Sequence, residues 1–245
     1  MFYTNKDIPL VTQSSIVEWD IKAANVSIME YYEIYPKKEI ERLKSLDKMK
    51  REISVGMIMK KDKDFSKKLE AGFNTIIQEF IEVNKVPDDS IISIKRDAIF
   101  VKNWNIKKSA FGDCVLFVPK NEYTMYINLP MYEIYISNTK VDVKGINDTK
   151  LPLHANGMCR FFQDINSISY NKYEVNKYLK EFTEAYKRKE LSFDMYRRFT
   201  SESDFIINID GYQVKMDTIT EDDIPYLDIS YNYLNVILPT IQRFL

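Results

Sequence analysis

Two aspartates, Asp20 and Asp97, stand beside apolar strand-like segments, and together they could hold a metal ion. Asp20 follows the strand-like run 16–19 and leads into an amphipathic segment, and Asp97 lies within the apolar stretch 91–101. A pair of carboxylates can bind two divalent ions that clamp the attacking and leaving oxygens of a phosphoryl transfer. We therefore expect a two-carboxylate metal site. The structural alternative is that each aspartate only caps a helix or ends a strand.

The composition predicts a globular protein with a sizeable core. The chain has 245 residues, of which 45% are apolar, with 17 Tyr and 14 Phe against 6 Gly, and this excludes a disordered or collagen-like protein. A net charge of −1 argues against a protein that coats nucleic acid through bulk charge. Basic residues are concentrated in 37–70 and acidic ones in 202–228, so a local basic surface is still expected.

The residue types also limit the cofactor and the compartment. One His and two separated cysteines, Cys114 and Cys159, cannot supply the usual zinc ligands, and we expect the cysteines to be buried free thiols in a reducing compartment. We expect a structural role for His154, beside an apolar turn. The sequence shows no signal peptide and no apolar run long enough to span a bilayer, which predicts a cytoplasmic protein without a membrane partner.

Hydrophobic periodicity predicts an α+β chain, because helical patterns flank several strand patterns. The clearest helix, 65–84, carries one apolar stripe, and the clearest hairpin pairs 91–94 with 98–101 around a tip at 95–97. The other predicted helices are 26–35, 37–60, 172–190, 191–199 and 228–245. The other predicted strands are 114–118, 123–127, 132–136, 141–143, 205–209 and 212–216.

Three segments resemble, in the right order, the motifs of family B DNA polymerases. Residues 20–28 read DIKAANVSI and keep the aspartate and the closing Ser-Ile of motif A, Asp-x-x-Ser-Leu-Tyr-Pro-Ser-Ile. Residues 95–101 read KRDAIFV and keep the second aspartate of motif C, Asp-Thr-Asp-Ser-Ile-Phe-Val, with Lys95 in place of the first. Between them, residues 48–56 read KMKREISVG and resemble motif B, Lys-x-x-x-Asn-Ser-x-Tyr-Gly, at the first and last positions.

Three later segments continue the resemblance in the same order. Residues 120–123 read KNEY and are similar to the Lys-Lys-x-Tyr element that tracks the primer–template. Residues 143–146 read VKGI and are similar to the Lys-Gly-Ile/Leu step that opens the thumb. Residues 231–245 read YNYLNVILPTIQRFL and are similar to the closing Tyr-Tyr…Ile-Leu-Pro…Arg-Ile-Leu helix. The six matches together cover about residues 20–245.

The resemblance implies a fold, a domain division and an activity. The fold would be a polymerase palm-like antiparallel sheet with packed helices, short fingers-like helices and a small thumb-like C-terminal region. Residues 1–145 would form the palm-like region with a fingers insertion at about 29–64, and 146–245 the thumb-like α+β region with its C-terminal helix. The protein would be a phage or mobile-element DNA polymerase, a minimal template-directed nucleotidyltransferase in DNA replication. Its partners would be nucleoside triphosphates and primer–template DNA, with RNA as a second template class, and in a phage-infected cell it would work in the host cytoplasm.

The resemblance also implies a role for each candidate site residue. Asp20 and Asp97 would hold two Mg²⁺ ions, for which Mn²⁺ could substitute, and the backbone carbonyl of Ile21 would add one oxygen ligand. Lys48 and Arg51 would contact the triphosphate of the incoming nucleotide. Asn25 would stand where the family has the tyrosine that excludes ribose 2′-hydroxyls. The residues that would contact the nucleic-acid backbone are Lys120, Tyr123 and Lys144. Lys95 would bring a positive charge near the metals and weaken Mg²⁺ binding.

Two other interpretations stay open. The missing motif C aspartate, the near-neutral charge and the short fingers favour a catalytically degenerate palm-fold protein. Such a protein would be a binding or regulatory subunit of a nucleic-acid complex, with a protein partner completing the site. In an unrelated structural or inhibitor protein the ordered motifs would be coincidental. For single residues, Lys48 and Arg51 could form a solvated helix face, and Tyr123 could simply pack within a sheet.

Overall fold

The chain divides into two compact units. The computed structural model describes residues 2–130, 132–145, 151–191, 206–209, 212–215 and 236–245. One unit consists of Met1–Asn5 and Ser15–Glu122, and the other of Lys6–Ser14 and Tyr123–Leu245. This division falls earlier in the chain than the predicted boundary at 145/146, and it gives each unit two separate stretches of chain.

The first unit is built on a six-stranded sheet. Its strands are β1 (Phe2–Thr4), β3 (Ile16–Ile21), β4 (Ile91–Lys95), β5 (Ala98–Lys102), β6 (Ala110–Phe111) and β7 (Val115–Tyr123), in the spatial order β1-β4-β5-β3-β7-β6. The β4–β5 hairpin confirms the predicted pairing around residues 95–97, and β3 lies antiparallel to β5. The hairpin that resembles motif C and the strand that leads into the segment resembling motif A are therefore neighbours in one sheet.

Four helices cover one face of this sheet. They are α1 (Ala24–Tyr31), α2 (Lys37–Lys44), α3 (Lys48–Lys61) and α4 (Lys63–Asn84). The predicted apolar stripe of α4 is confirmed, because Leu69, Phe73, Ile76 and Phe80 are all buried. The predicted single helix over 37–60 is wrong: α3 begins afresh after Asp47, whose side chain accepts a hydrogen bond from the backbone N–H of Lys50 at 2.9 Å. A side-chain N-cap of this kind starts a new helix.

Strand register decides which side chains face these helices. In β3, Trp19 lies opposite Ile99 and Asp20 opposite Ala98. Successive side chains of a strand point to opposite faces, so Trp19 and Ile99 share the face that packs on the helices, and Asp20 points to the other face. The aspartate is thus kept out of the apolar core of the unit.

The second unit packs helices on a smaller antiparallel sheet. Its strands are β2 (Leu10–Val11), β8 (Met125–Asn128), β9 (Glu133–Ile136) and β10 (Val141–Lys144), in the order β10-β9-β8-β2, and β11 (Ile206–Ile209) pairs separately with β12 (Tyr212–Lys215). Its helices are α5 (Leu151–Ile168), α6 (Lys172–Lys187) and α7 (Leu238–Phe244). Buried side chains such as Ile127, Ile134, Phe161 and Leu179 form its core.

The predicted α+β class is confirmed, and several boundaries change. The sequence missed α5 entirely, so His154 lies in a helix rather than beside a turn. The predicted strands 114–118 and 123–127 are wrong at their boundaries, because β7 runs without a break from Val115 to Tyr123. Residues 192–199 of the predicted helix 191–199 and residues 228–235 of the predicted last helix lie outside the described residues.

Candidate metal centre

The antiparallel pairing of β3 with β5 brings Asp20 and Asp97 to the same end of the sheet. Asp20 lies opposite Ala98, and Asp97 is the residue just before Ala98, in the turn between β4 and β5. The backbone N–H of Ile21 donates to the carbonyl of Asp97 at 3.0 Å and closes this end of the ladder. Both aspartates are partly exposed, so a dissolved ion can reach them.

Left-handed backbone conformations flank both aspartates. Ala23, three residues after Asp20, has φ 51°, and Arg96, directly before Asp97, has φ 59°. Residues other than glycine rarely adopt this region, at a cost of about 1 kcal/mol or more, and such conformations cluster at functional sites. Five other non-glycine residues of the described structure share this conformation, so Ala23 and Arg96 mark the start of α1 and the tip of the β4–β5 hairpin rather than a distinctive cluster.

A lysine of the neighbouring strand lies against Asp20. The ammonium of Lys120, in β7, is 3.3 Å from Oδ2 of Asp20 and 3.7 Å from Oε1 of Glu18. Glu18 is nearly fully buried and also accepts a hydrogen bond from Asn121 at 2.5 Å. Asp20 and Glu18 are two residues apart in β3 and so share one face of the strand.

Burial sets the protonation of Asp20. Burial raises the pKa of this carboxyl above its usual value, the Lys120 ammonium opposes the shift, and the negative charges of Asp97 and Glu18 add to it. Burial lowers the pKa of Lys120, but the carboxylates of Asp20 and Glu18 outweigh it, and the net pKa is raised. Burial is the main reason why the pKa of Asp20 is raised, and the Lys120 ammonium is the largest influence that opposes it.

The donor set fits Mg²⁺ better than a transition metal. Asp20 and Asp97 offer only oxygen ligands, and the described part of the chain contains no group of three or more His, Cys, Asp or Glu side chains arranged to hold a metal ion. Mg²⁺ is commonly bound through one or two carboxylates, with waters and substrate phosphates completing its coordination. Two aspartates therefore suit an ion that arrives with a phosphate substrate.

Asn25 is engaged inside the protein. Its side chain is almost fully buried, its Nδ2 donates to Oε2 of Glu52 at 2.6 Å, and its Oδ1 accepts from Nη2 of Arg96 at 3.1 Å. The side-chain amide that was predicted to face the sugar of a nucleotide thus uses its donor on α3 and its acceptor on the β4–β5 turn.

The two candidate triphosphate contacts lie in the first turn of α3. Lys48 is exposed and begins the helix. Arg51 is half-buried, and its Nε is buried without a hydrogen-bond partner among the described residues. Glu52, the next residue, reaches Asn25, so the contacts of α3 extend to the helix that follows Asp20. Glu52 therefore links α3 to α1 on the helix-covered face of the sheet, whereas Asp20 points to the other face.

The ammonium of Lys95, which was expected near the metals, contacts β1 instead. It donates to the hydroxyl of Thr4 in β1 at 3.1 Å, on the side of β4 away from β3. The ammonium in contact with Asp20 is that of Lys120, which the sequence had assigned to the nucleic-acid backbone. The local positive charge therefore comes from the β7 strand and not from the altered motif C position.

A family model matches the whole chain, residues 1–245. The chain belongs to the family of the bacteriophage PBS1 gene 130 protein. This family makes the protein phage-encoded, as the sequence predicted, and its description states no activity. A search of curated proteins gave no match. Among the described residues of this family member, no helix is long and apolar enough to cross a membrane.

In this member of the phage family, the first unit brings together Asp20, Asp97 and Lys120, and it also contains Asn25, Lys48 and Arg51, while Tyr123 and Lys144 belong to the second unit. Tyr123 is buried and its hydroxyl donates to Asp142, and Lys144 ends β10 half-buried. Sequence reasoning missed Glu18, Glu52 and Arg96. Only Glu18 left a signal, because a charged residue two positions before Asp20 in a strand must share its face.

Proposed function

We propose that the protein is a minimal template-directed nucleotidyltransferase of the DNA polymerase type. Asp20 and Asp97 would hold its two Mg²⁺ ions, its substrates would be nucleoside triphosphates, and primer–template DNA would direct it. What supports the proposal is the hydrogen bond from Ile21 N–H to the Asp97 carbonyl, which ties together the two segments that resemble motifs A and C. The two aspartates meet although 76 residues of chain separate them, since residues 21–96 lie between.

The chain's own residues would perform binding and positioning. The carboxylates of Asp20 and Asp97 would hold the ions, which, when bound, supply the charge that stabilises the attacking and leaving oxygens. Arg51, whose Nε is buried without a hydrogen-bond partner among the described residues, would bind a triphosphate oxygen, with Lys48 beside it. Lys120 already touches Asp20 and would balance the negative charge that a nucleotide brings.

A second candidate function is a palm-fold binding or regulatory subunit of a nucleic-acid complex. One observation favours it: Lys120 supplies Asp20 and Glu18 with an internal cation, so the carboxylates have a charge partner even without a metal. In this case a protein partner would provide the catalytic groups. The two functions differ in divalent-metal binding, which only the enzyme requires.

The test is primer extension with Mg²⁺ or Mn²⁺ on DNA and RNA templates, supplied with dNTPs or rNTPs. The substitutions are Asp20→Asn and Asp97→Asn, which keep side-chain shape, and Asp89→Asn is the control at an exposed aspartate of another turn. Extension that is lost in both site variants and kept in the control is the expected result. If the folded wild-type protein binds primer–template but extends no primer, the result would refute the enzyme and favour the binding subunit.

A further inference from the structure

One guanidinium fastens the turn that carries Asp97 to three helices. Nη2 of Arg96 donates to Oδ1 of Asn25 in α1 at 3.1 Å and lies 3.9 Å from the sulfur of Met59 in α3. The guanidinium carbon stands 4.7 Å from the ring centre of Phe73 in α4, a cation–π contact. These contacts all involve the residue directly before Asp97, so they fix the backbone from which the carboxylate extends.

Asn25 joins this guanidinium to a carboxylate on α3. Its Nδ2 donates to Glu52 at 2.6 Å while its Oδ1 accepts from Arg96, so a neutral amide sits between a cation and an anion. Hydrogen bonds with one ionised partner are stronger than neutral ones, and here the amide of Asn25 is buried while Glu52 is exposed and Arg96 half-buried. The hydrogen bonds from Arg96 to Asn25 and from Asn25 to Glu52 therefore link the β4–β5 turn to α1 and α3.

The turn itself needs such support. Arg96 is left-handed at φ 59°, and the backbone of Asp97 makes two hydrogen bonds within the described structure: its N–H donates to the carbonyl of Lys95 at 2.8 Å, and its carbonyl accepts from the N–H of Ile21 at 3.0 Å. A strained non-glycine residue keeps its conformation only when its surroundings hold it. The contacts of the Arg96 side chain supply that hold.

We propose that Asn25 and Arg96 are positioning residues, which hold the Asp97 turn in place against α1 and α3. Neither residue touches reacting atoms, and Asn25 acts through its two hydrogen bonds rather than on a nucleotide sugar. The positioning itself concerns the folded, metal-free protein. Its consequence for catalysis rests on the proposed function, because it assumes that Asp97 is a metal ligand.

Amide hydrogen exchange of Ile21 and Asp97, measured by NMR on the metal-free chain, tests the positioning directly. Asn25→Ala should speed exchange of both amides by about tenfold relative to core amides of β5, since it removes hydrogen bonds to two charged partners. Asn103→Ala is the matched control: Asn103 accepts from Ser15 N–H at 3.0 Å at the other end of the β3–β5 ladder. The control should leave Ile21 and Asp97 unchanged.

A charge-preserving rescue distinguishes positioning from a general loss of fold. Asn25→Asp places a carboxylate against Glu52 and should also speed exchange. Adding Glu52→Gln to it should restore slow exchange, because the new amide donates to the new carboxylate while Arg96 keeps its acceptor, and the net charge equals that of the wild type. If Asn25→Ala does not fold, this pair of variants decides the question alone.

Mn²⁺ affinity, followed by the electron paramagnetic resonance of the free ion, links the positioning to the metal. Asn25→Ala should weaken Mn²⁺ binding several-fold, and Arg96→Lys should weaken it less because the charge remains. Unchanged exchange at Ile21 and Asp97 in folded Asn25→Ala, or no rescue by the double variant, would overturn the positioning. If amide exchange is faster in Asn25→Ala but the wild-type protein binds no Mn²⁺, the positioning role of Asn25 would stand and the proposed enzyme function would be refuted.

Discussion

Lys120 should weaken the binding of a divalent ion at Asp20, and its removal should therefore raise metal affinity. Lys120→Met removes the ammonium and keeps an unbranched side chain of similar length. The ammonium now lies 3.3 Å from Oδ2 of Asp20, so an ion on that oxygen would meet a positive charge nearby. Removing it also leaves Asp20, Glu18 and Asp97 with more negative potential, which attracts the ion.

The size of the effect follows from distance and exposure. Two unit charges at 3.3 Å would interact by about 5 kcal/mol at an effective dielectric constant of about 20. The Lys120 side chain is 51% exposed and can swing into solvent, and pairs of this kind contribute at most about 1 kcal/mol in measurements. We therefore expect about fivefold tighter binding, since a tenfold change corresponds to about 1.4 kcal/mol.

The assay is a Mn²⁺ titration of wild type, Lys120→Met and Lys120→Arg at neutral pH and two salt concentrations. Lys140→Met is the matched control, because Lys140 is 50% exposed and pairs with Asp142 at 2.8 Å in the second unit. Lys120→Met should gain affinity, more at low salt than at high salt, and the other two should match the wild type. Equal or weaker binding by folded Lys120→Met would refute the assignment of this lysine as the charge that opposes the metal.

Three further predictions concern stability and are measured by thermal or urea unfolding of the metal-free protein. Burial raises the pKa of Asp20, so the folded state binds the proton of this carboxyl more tightly than the unfolded state does, and Asp20 lowers the free energy of unfolding as pH rises through the raised pKa. Asp20→Asn should therefore raise Tm at neutral pH. The increase in Tm should vanish below the usual pKa of an aspartate. Phe80→Ala should cost about 3–5 kcal/mol, because Phe80 is fully buried among aromatic rings; a cost below 1 kcal/mol would contradict the described core. Gly56→Ala should raise the free energy of unfolding by about 0.5–1 kcal/mol, because a Cβ at this position meets nothing within 4 Å. Gly72→Ala should lower it by about 1–3 kcal/mol, because its Cβ would lie 2.6 Å from the side chain of Ile28.

Local patterns allowed much of the first unit to be predicted. The stripe of α4 repeats every three to four residues, and the hairpin of β4 and β5 shows an apolar run on each side of a charged tip. The break between α2 and α3 was missed, although Asp47 before a helical pattern is an N-cap signal. Helix α5 was missed because Pro152 and Gly157 weaken its pattern, although proline is tolerated in a first helical turn.

The contacts of the candidate site depend on tertiary structure and could not be predicted. The sequence put an aspartate beside each of two strands, but only the choice of β5 as the neighbour of β3 brings Asp20 and Asp97 together. Residue type alone does not reveal that the amide of Asn25 lies between Arg96 and Glu52, nor that Lys120 reaches back to Asp20. These pairings join segments far apart in the chain, so no local pattern encodes them.

Glu18 decides whether the internal cation is compatible with catalysis. Its side chain is 4% exposed, and a buried carboxylate needs charged or hydrogen-bonding partners, which Asn121 and Lys120 provide. When an ion binds Asp20, Lys120 can keep Glu18 as its partner, so metal binding does not leave this ammonium without a counter-charge. Glu18→Gln removes that second partner and one negative charge, and it should therefore weaken Mn²⁺ binding. Unchanged or tighter binding by folded Glu18→Gln would contradict this account, and a wild type that binds no Mn²⁺ would leave Lys120 as the permanent cation of a binding subunit.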